Sequence, residues 1–230
     1  MLKKRKVLTV SAFVPLNVKH MTADKYHELG YEMLDAAAPS RFFDNYPLEK
    51  CWSYDLCKDL PPATETPADR YATPEDHVRS HIVQHTRTQW ALEAVKGSDY
   101  DTVVWLDLGI LKQGHWNKNP VTWGHIVEFT GAVRRYQGDD IPFPGIDPNP
   151  DHYDPHGNNW RFCGSTHIWP VEHLKRIDSV YRTQLKEFIK QHKKVPLDLA
   201  IWPLVEKHSN LPFKFYQAEY DASQLTNFPK

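Results

Sequence analysis

Residues 100–114, YDTVVWLDLGILKQG, constrain the fold more than any other stretch of the chain. Val103, Val104, Trp105 and Leu106 are apolar in succession and do not alternate with polar residues, which marks a strand covered on both faces. Asp107 stands where that strand leaves the core. Gly109, two residues on, has no Cβ and lets the chain turn or approach a ligand closely. In open α/β sheets ligands gather at the carboxyl ends of strands, where a carboxylate reaches a metal ion or a substrate hydroxyl. Asp and Gly are also ordinary turn residues, so the same letters fit a strand that simply stops.

Strands and helices alternate around this segment. A first strand is predicted over 7–14. A helix follows over 22–37, with Thr22 as cap, Asp24 in the first turn, and Tyr26, Leu29, Met33 and Leu34 near helical spacing. Residues 41–43 read as a short second strand, and the prolines and charges of 47–74 as irregular surface chain. Pro74-Glu75-Asp76 opens a helix that Lys96-Gly97 closes. Its apolar face is Val78, Ile82, Trp90, Leu92 and Val95; Arg79, His81, His85, Arg87 and Gln89 fall on the remaining surface, which reads as solvated. Further helices are expected over 122–136 and 170–192. Between them, 138–159 holds five prolines without periodicity and reads as a long functional loop over the acceptor side of a cleft. Residues 160–163 look like a strand ending in Gly164-Ser165-Thr166, and 213–216 like a last strand. Asp198 begins a stretch in which Pro203 interrupts any single helix.

This order of elements in 230 residues predicts one α/β domain spanning 1–230, with a mostly parallel central sheet flanked by helices. Formal charge is −1, so no global basic field draws in nucleic acid, although Lys3, Lys4, Arg5 and Lys6 make a local patch. No run approaches the roughly 20 apolar residues of a membrane span. The basic, briefly apolar N-terminus lacks a small-residue cleavage site and reads as a strand. Three cysteines, Cys51, Cys57 and Cys163, without CxxC favour reduced thiols in a cytoplasm, with a Cys51–Cys57 bridge left open. There is neither a GxGxxG nor a Walker A pattern, which argues against a dinucleotide oxidoreductase or a P-loop kinase.

A strand ending in hydrophobic-Trp-Leu-Asp-x-Gly, preceded by a long helix and SDYD, resembles the centre of GT-A-type nucleotide-sugar glycosyltransferases. More narrowly, VVWLDLGI is similar to the equivalent segment of the HtrL/YibB-type family of bacterial glycosyltransferases. The resemblance implies a GT-A-like, Rossmann-like domain. Its implied reaction moves a sugar from a nucleotide-diphosphate sugar, such as a UDP-sugar, to a hydroxyl on a glycan, a protein or a hydroxymethylated nucleobase in DNA. The protein would then work in the cytoplasm of a bacterium or of a phage-infected cell.

The same resemblance implies site roles. Ser11, Ala12 and Phe13 would line the base pocket, Arg87 would pair with the diphosphate, and Gly109, Gly164 and Ser165 would border donor and acceptor. Asp107 would hold Mg²⁺ or Mn²⁺, and Asp198 would act as base or orient the sugar. Against the family pattern Asp-x-Asp, this chain reads Asp107-Leu108-Gly109. Two routes follow: Asp198, Asp221 or His208 supplies another metal ligand, or Arg87, Lys112 or His115 neutralises the diphosphate without metal. A rival reading groups His152, His156 and His167 with Asp151 and Asp154 as a zinc site, for a zinc hydrolase or a zinc-stabilised binding module. Another is a non-catalytic sugar-binding protein of the same fold.

Overall fold

The computed structural model describes residues 4–16, 22–64, 71, 73–112, 119–149, 151, 153–154 and 161–229. In chain order its strands and α-helices are β1 (Val7–Ala12), α1 (Ala23–Ala36), β2 (Ser40–Phe43), α2 (Tyr54–Cys57), α3 (Pro74–His85), α4 (Arg87–Val95), β3 (Thr102–Leu106), α5 (Trp123–Arg135), β4 (Ile141–Gly145), β5 (Thr166–Pro170), α6 (Val171–His192), α7 (Trp202–Ser209), β6 (Phe213–Gln217) and α8 (Ser223–Thr226). The expected cap forms, the Thr22 hydroxyl accepting from the Lys25 N–H at the head of α1, and Thr122 proves to be a cap as well, accepting from the His125 N–H at the head of α5. None of the helices formed by the described residues is long and apolar enough to cross a membrane.

The central sheet has strand order β2-β1-β3-β5. β1 runs parallel to β2 and to β3, and β5 pairs antiparallel to β3 with Val104 opposite Ile168. Side chains alternate across it. Val103 and Trp105 enter a core built with Trp90 of α4, Leu174 and Ile177 of α6 and Trp202 of α7. Val104 and Leu106 enter a second core with Met33 of α1 and Ile126 and Phe129 of α5. Helices therefore cover both faces, which is why Val103 to Leu106 are all apolar and why all five residues of β3 are buried. Trp90 and Trp105 stack at 5.7 Å between centroids and 8° between planes, fixing α4 against β3.

Three local expectations are corrected. The helix over 74–96 is two helices: the Thr86 N–H reaches back three residues to the Val83 carbonyl at 3.1 Å, and the chain turns before Arg87. The supposed loop over 138–159 contains β4, which pairs in parallel with β6 from Ile141–Phe213 to Gly145–Gln217. Pro142 and Pro144 hide this strand in the sequence. They are tolerated because the remaining N–H groups, on Ile141, Phe143 and Gly145, fall on alternate residues and so face one neighbour. Finally, residues 161–163 form no strand; Gly164 and Ser165 precede β5 instead of ending a strand. The Arg161 guanidinium is drawn aside by a two-pronged pairing with Glu206, at 3.0 and 2.7 Å.

Gly145 closes β4 where the 161–163 turn crosses it. A Cβ at this residue would lie 1.8 Å from the Arg161 carbonyl oxygen, a backbone atom that cannot swing away. Gly145→Ala is therefore expected to destabilise the protein by about 2–3 kcal/mol through overpacking. Thermal melts would register this as a fall of roughly 5–10 °C for a domain of this size. An unchanged melting point would contradict the packing described.

Candidate functional site

Because β1 and β3 are parallel and β5 is antiparallel, the end of β1, the end of β3 and the start of β5 share one rim of the sheet. Asp107 leaves β3 there, its N–H donating to the Ser165 carbonyl at 2.9 Å. Ser11 does not line a pocket. Its hydroxyl is fully buried and donates to the Leu106 carbonyl at 2.7 Å, tying β1 to β3 one residue before Asp107. Ala12 is half-buried, and Phe13 borders a cavity of about 520 Å³ with Pro15, Ala23, Asp24, His27 and Asn45. His27 meets the Phe13 ring edge-on at 4.1 Å, so one wall of that cavity is aromatic.

Arg87, the first residue of α4, lies between two carboxylates. Its Nη2 donates to Asp107 Oδ2 at 2.8 Å and its Nη1 to Asp198 Oδ2, and its Cζ lies 5.8 Å from the centroid of the Trp105 ring. The Trp105 indole N–H donates to the other Asp107 oxygen at 2.7 Å. Exposure separates the three groups: the side chains of Arg87 and Asp198 are 6% and 4% exposed, that of Asp107 31%. Asp107 is thus the member that meets solvent. Burial drives the Asp198 carboxyl above its ordinary value, with Arg87 opposing the shift and Asp107 adding to it. Burial opposes the Arg87 charge, yet Asp107 and Asp198 hold its pKa raised.

Gly164 is a close neighbour of this cluster. A Cβ there would come within 3.2 Å of both Asp198 Oδ2 and Leu199 Cδ2, so only glycine leaves the carboxylate its place without displacing a neighbour. The Gly164 N–H donates to the Tyr220 hydroxyl at 3.1 Å. The Gly164 carbonyl takes a bond from His167 Nε2 at 2.9 Å; a carbonyl only accepts, so Nε2 carries the proton. His167 is fully buried, and burial followed by the Arg87 charge keeps the ring neutral. Ser165 turns its hydroxyl into the core, onto Gln224 at 2.7 Å. Gly109 has open space where a Cβ would stand, so packing does not require glycine at that position.

The expectation of a solvated face on the helix carrying His81, His85 and Arg87 is overturned: all three are buried. His85 bridges Tyr181 of α6, at 2.7 Å, and the Pro196 carbonyl, at 2.9 Å, and burial lowers its pKa to about 3. Arg5 donates from Nε to the Tyr136 carbonyl at 2.9 Å, and Lys6 pairs with Asp99. Both precede β1 and so stand at the opposite rim from Asp107. All three cysteines are free and buried, with the Cys51 and Cys57 thiols pushed up to about 11 and about 12 by burial.

Among the described residues, the remaining candidate ligands do not assemble around Asp107. Asp221 accepts from the N–H of Ser223, the first residue of α8, at 2.7 Å, while His208 is exposed near the end of α7. Asp151 and Asp154 are exposed, and His115, His152 and His156 lie outside the described residues. Among the described residues no group of three or more His, Cys, Asp or Glu side chains is arranged to hold a metal ion. The carboxylate oxygens described at this cluster are already engaged. Each Asp107 oxygen already accepts from an N–H, and the second carboxylate is bound to a guanidinium.

Sequence reasoning missed Trp105 and Tyr220. Trp105 was findable, since residues i and i+2 of a strand point to the same side, which brings its indole to Asp107. Tyr220 has no such local signal.

No protein-family model matches the chain, and no curated protein sequence does. Among solved structures, a glycosyltransferase involved in the glycosylation of the major capsid of PBCV-1 is similar, with a TM-score of 0.49 and 9% sequence identity, over 93% of this chain and 81% of that one.

Proposed function

We propose that this chain is a glycosyltransferase moving a sugar from a nucleotide-diphosphate donor to an acceptor hydroxyl. One observation carries the reading: a partly exposed carboxylate, Asp107, is held rigidly from two sides at the rim where parallel strands β1 and β3 end. That rim is where open α/β sheets bind ligands. The neighbouring cavity, with Phe13 and His27 on its wall, has the size and aromatic character that a nucleobase and ribose ask for.

In the reaction, the bond from the sugar C1 to the β-phosphate oxygen breaks and the bonding pair leaves on the diphosphate. The acceptor oxygen bonds to C1, and its proton passes to the Asp107 carboxylate and on to water. Trp105 and Arg87 fix which lone pairs of Asp107 remain free to take that proton. Asp198 is too buried to meet an acceptor and acts through Arg87 as a positioning residue. Gly164 supports it by leaving room for the carboxylate.

A melting-point screen against nucleotide sugars, with UDP-sugars first, tests the reading. A donor at about 100 times its Kd stabilises the folded state by about 2.7 kcal/mol. That corresponds to a rise of roughly 5–10 °C in a domain of this size. Mass spectrometry of a hydroxylated acceptor incubated with the same donor should show the added sugar. If no nucleotide sugar or nucleoside diphosphate raises the melting point, the proposal fails.

A further inference from the structure

We infer that sugar transfer at this site needs no divalent cation, because the Arg87 guanidinium stands between the carboxylates that such a cation would bridge. The inference rests on the glycosyl-transfer reading above. Arg87 binds Asp107 through Nη2 and Asp198 through Nη1, so one internal cation serves both anions. It is also the first residue of α4, a helix of nine residues whose N-cap makes no side-chain hydrogen bond.

A divalent cation entering here would have to displace the guanidinium from both acids, leaving a buried arginine without a counter-ion. No further ligand compensates: the described residues offer no third carboxylate or imidazole at coordinating reach. Charge leads to the same conclusion. With both acids ionised the three groups sum to one negative charge, and the guanidinium contacts both acids. A cluster so compensated gives little attraction to a dication and little repulsion to a diphosphate. As the C1–O bond breaks, the charge on the departing diphosphate develops in the field of Arg87, already oriented before substrate arrives.

The test uses the wild-type chain with a panel of UDP- and GDP-sugars. Melting shift and sugar transfer are each measured in excess EDTA and in excess MnCl₂, and MnCl₂ alone is titrated calorimetrically into the protein. The inference expects donor-induced shifts and rates that agree within about twofold between the two buffers, with no stoichiometric heat from Mn²⁺ alone. Shifts and transfer that appear only with Mn²⁺, or a saturable Mn²⁺ site on the free protein, overturn the inference and leave sugar transfer standing. Absence of any shift or transfer in either buffer removes the glycosyl-transfer reading, and this inference with it.

Discussion

Asp107→Asn should lower sugar transfer by about 10³-fold, within the range that removal of a proton acceptor produces, while the protein still folds. That loss corresponds to about 4 kcal/mol of transition-state stabilisation. The substitution keeps the shape of the side chain but not its hydrogen-bonding pattern. One Asp107 oxygen accepts from the Trp105 indole and the other from Arg87, so either orientation of an asparagine amide points its NH₂ at an N–H donor. One hydrogen bond is lost whichever way the amide turns, at about 1–2 kcal/mol. The melting point should therefore fall by roughly 2–8 °C. Steady-state rates for the folded variant, beside circular dichroism and a thermal melt, separate the two effects. Transfer within about tenfold of wild type would show that another group takes the proton.

The parts of the fold that were legible depend on local chemistry. Val103 to Leu106 reads as a doubly covered strand because every side chain has to enter one core or the other, and Thr22 announces its helix through its own hydroxyl. What stayed hidden depends on partners distant in the chain. The apolar stripe of Val78 and Ile82 shows one covered face of α3, but that helix is also packed from behind by Tyr181 and Pro196, which buries His85 as well. β4 is masked by its own prolines until the neighbour that its remaining N–H groups face is known. The Thr86 break looks like any helical threonine until its N–H is seen to bond the Val83 carbonyl, three residues back. At the candidate site, Asp107 stands out alone at a strand end. Arg87 pairs with Asp107 across 20 residues and with Asp198 across 111, and no spacing rule reaches that far.

Arg87→Met should destabilise the protein by about 3–5 kcal/mol at neutral pH, the range for breaking a buried ion pair by removing one partner. Methionine fills much of the same volume, so the loss is chiefly electrostatic: Asp198 is left as a buried acid without its cation, while the more exposed Asp107 regains water. The effect should depend on pH in a defined direction. Burial already raises the Asp198 pKa above the ordinary 3.8, and Arg87 is the largest influence holding it down. Removing Arg87 raises it further. A carboxyl whose folded pKa lies above its unfolded one contributes its stability at low pH and loses it as pH climbs through the folded value. The difference between variant and wild type should thus be largest near neutrality and shrink as pH falls toward 3.8. Differences are the quantity to follow: His81 is buried neutral and weakens both proteins alike as pH drops below 6.5, whereas His85 and His167, which Arg87 also holds neutral, weaken the variant less and so shrink the difference further at low pH. Urea denaturation across that range checks the slope, and Arg87→Met combined with Asp198→Asn should recover most of the stability at neutral pH, since the orphaned charge is gone. A pH-independent loss, or a double variant no better than the single one, would mean that Asp198 is not the acid Arg87 compensates.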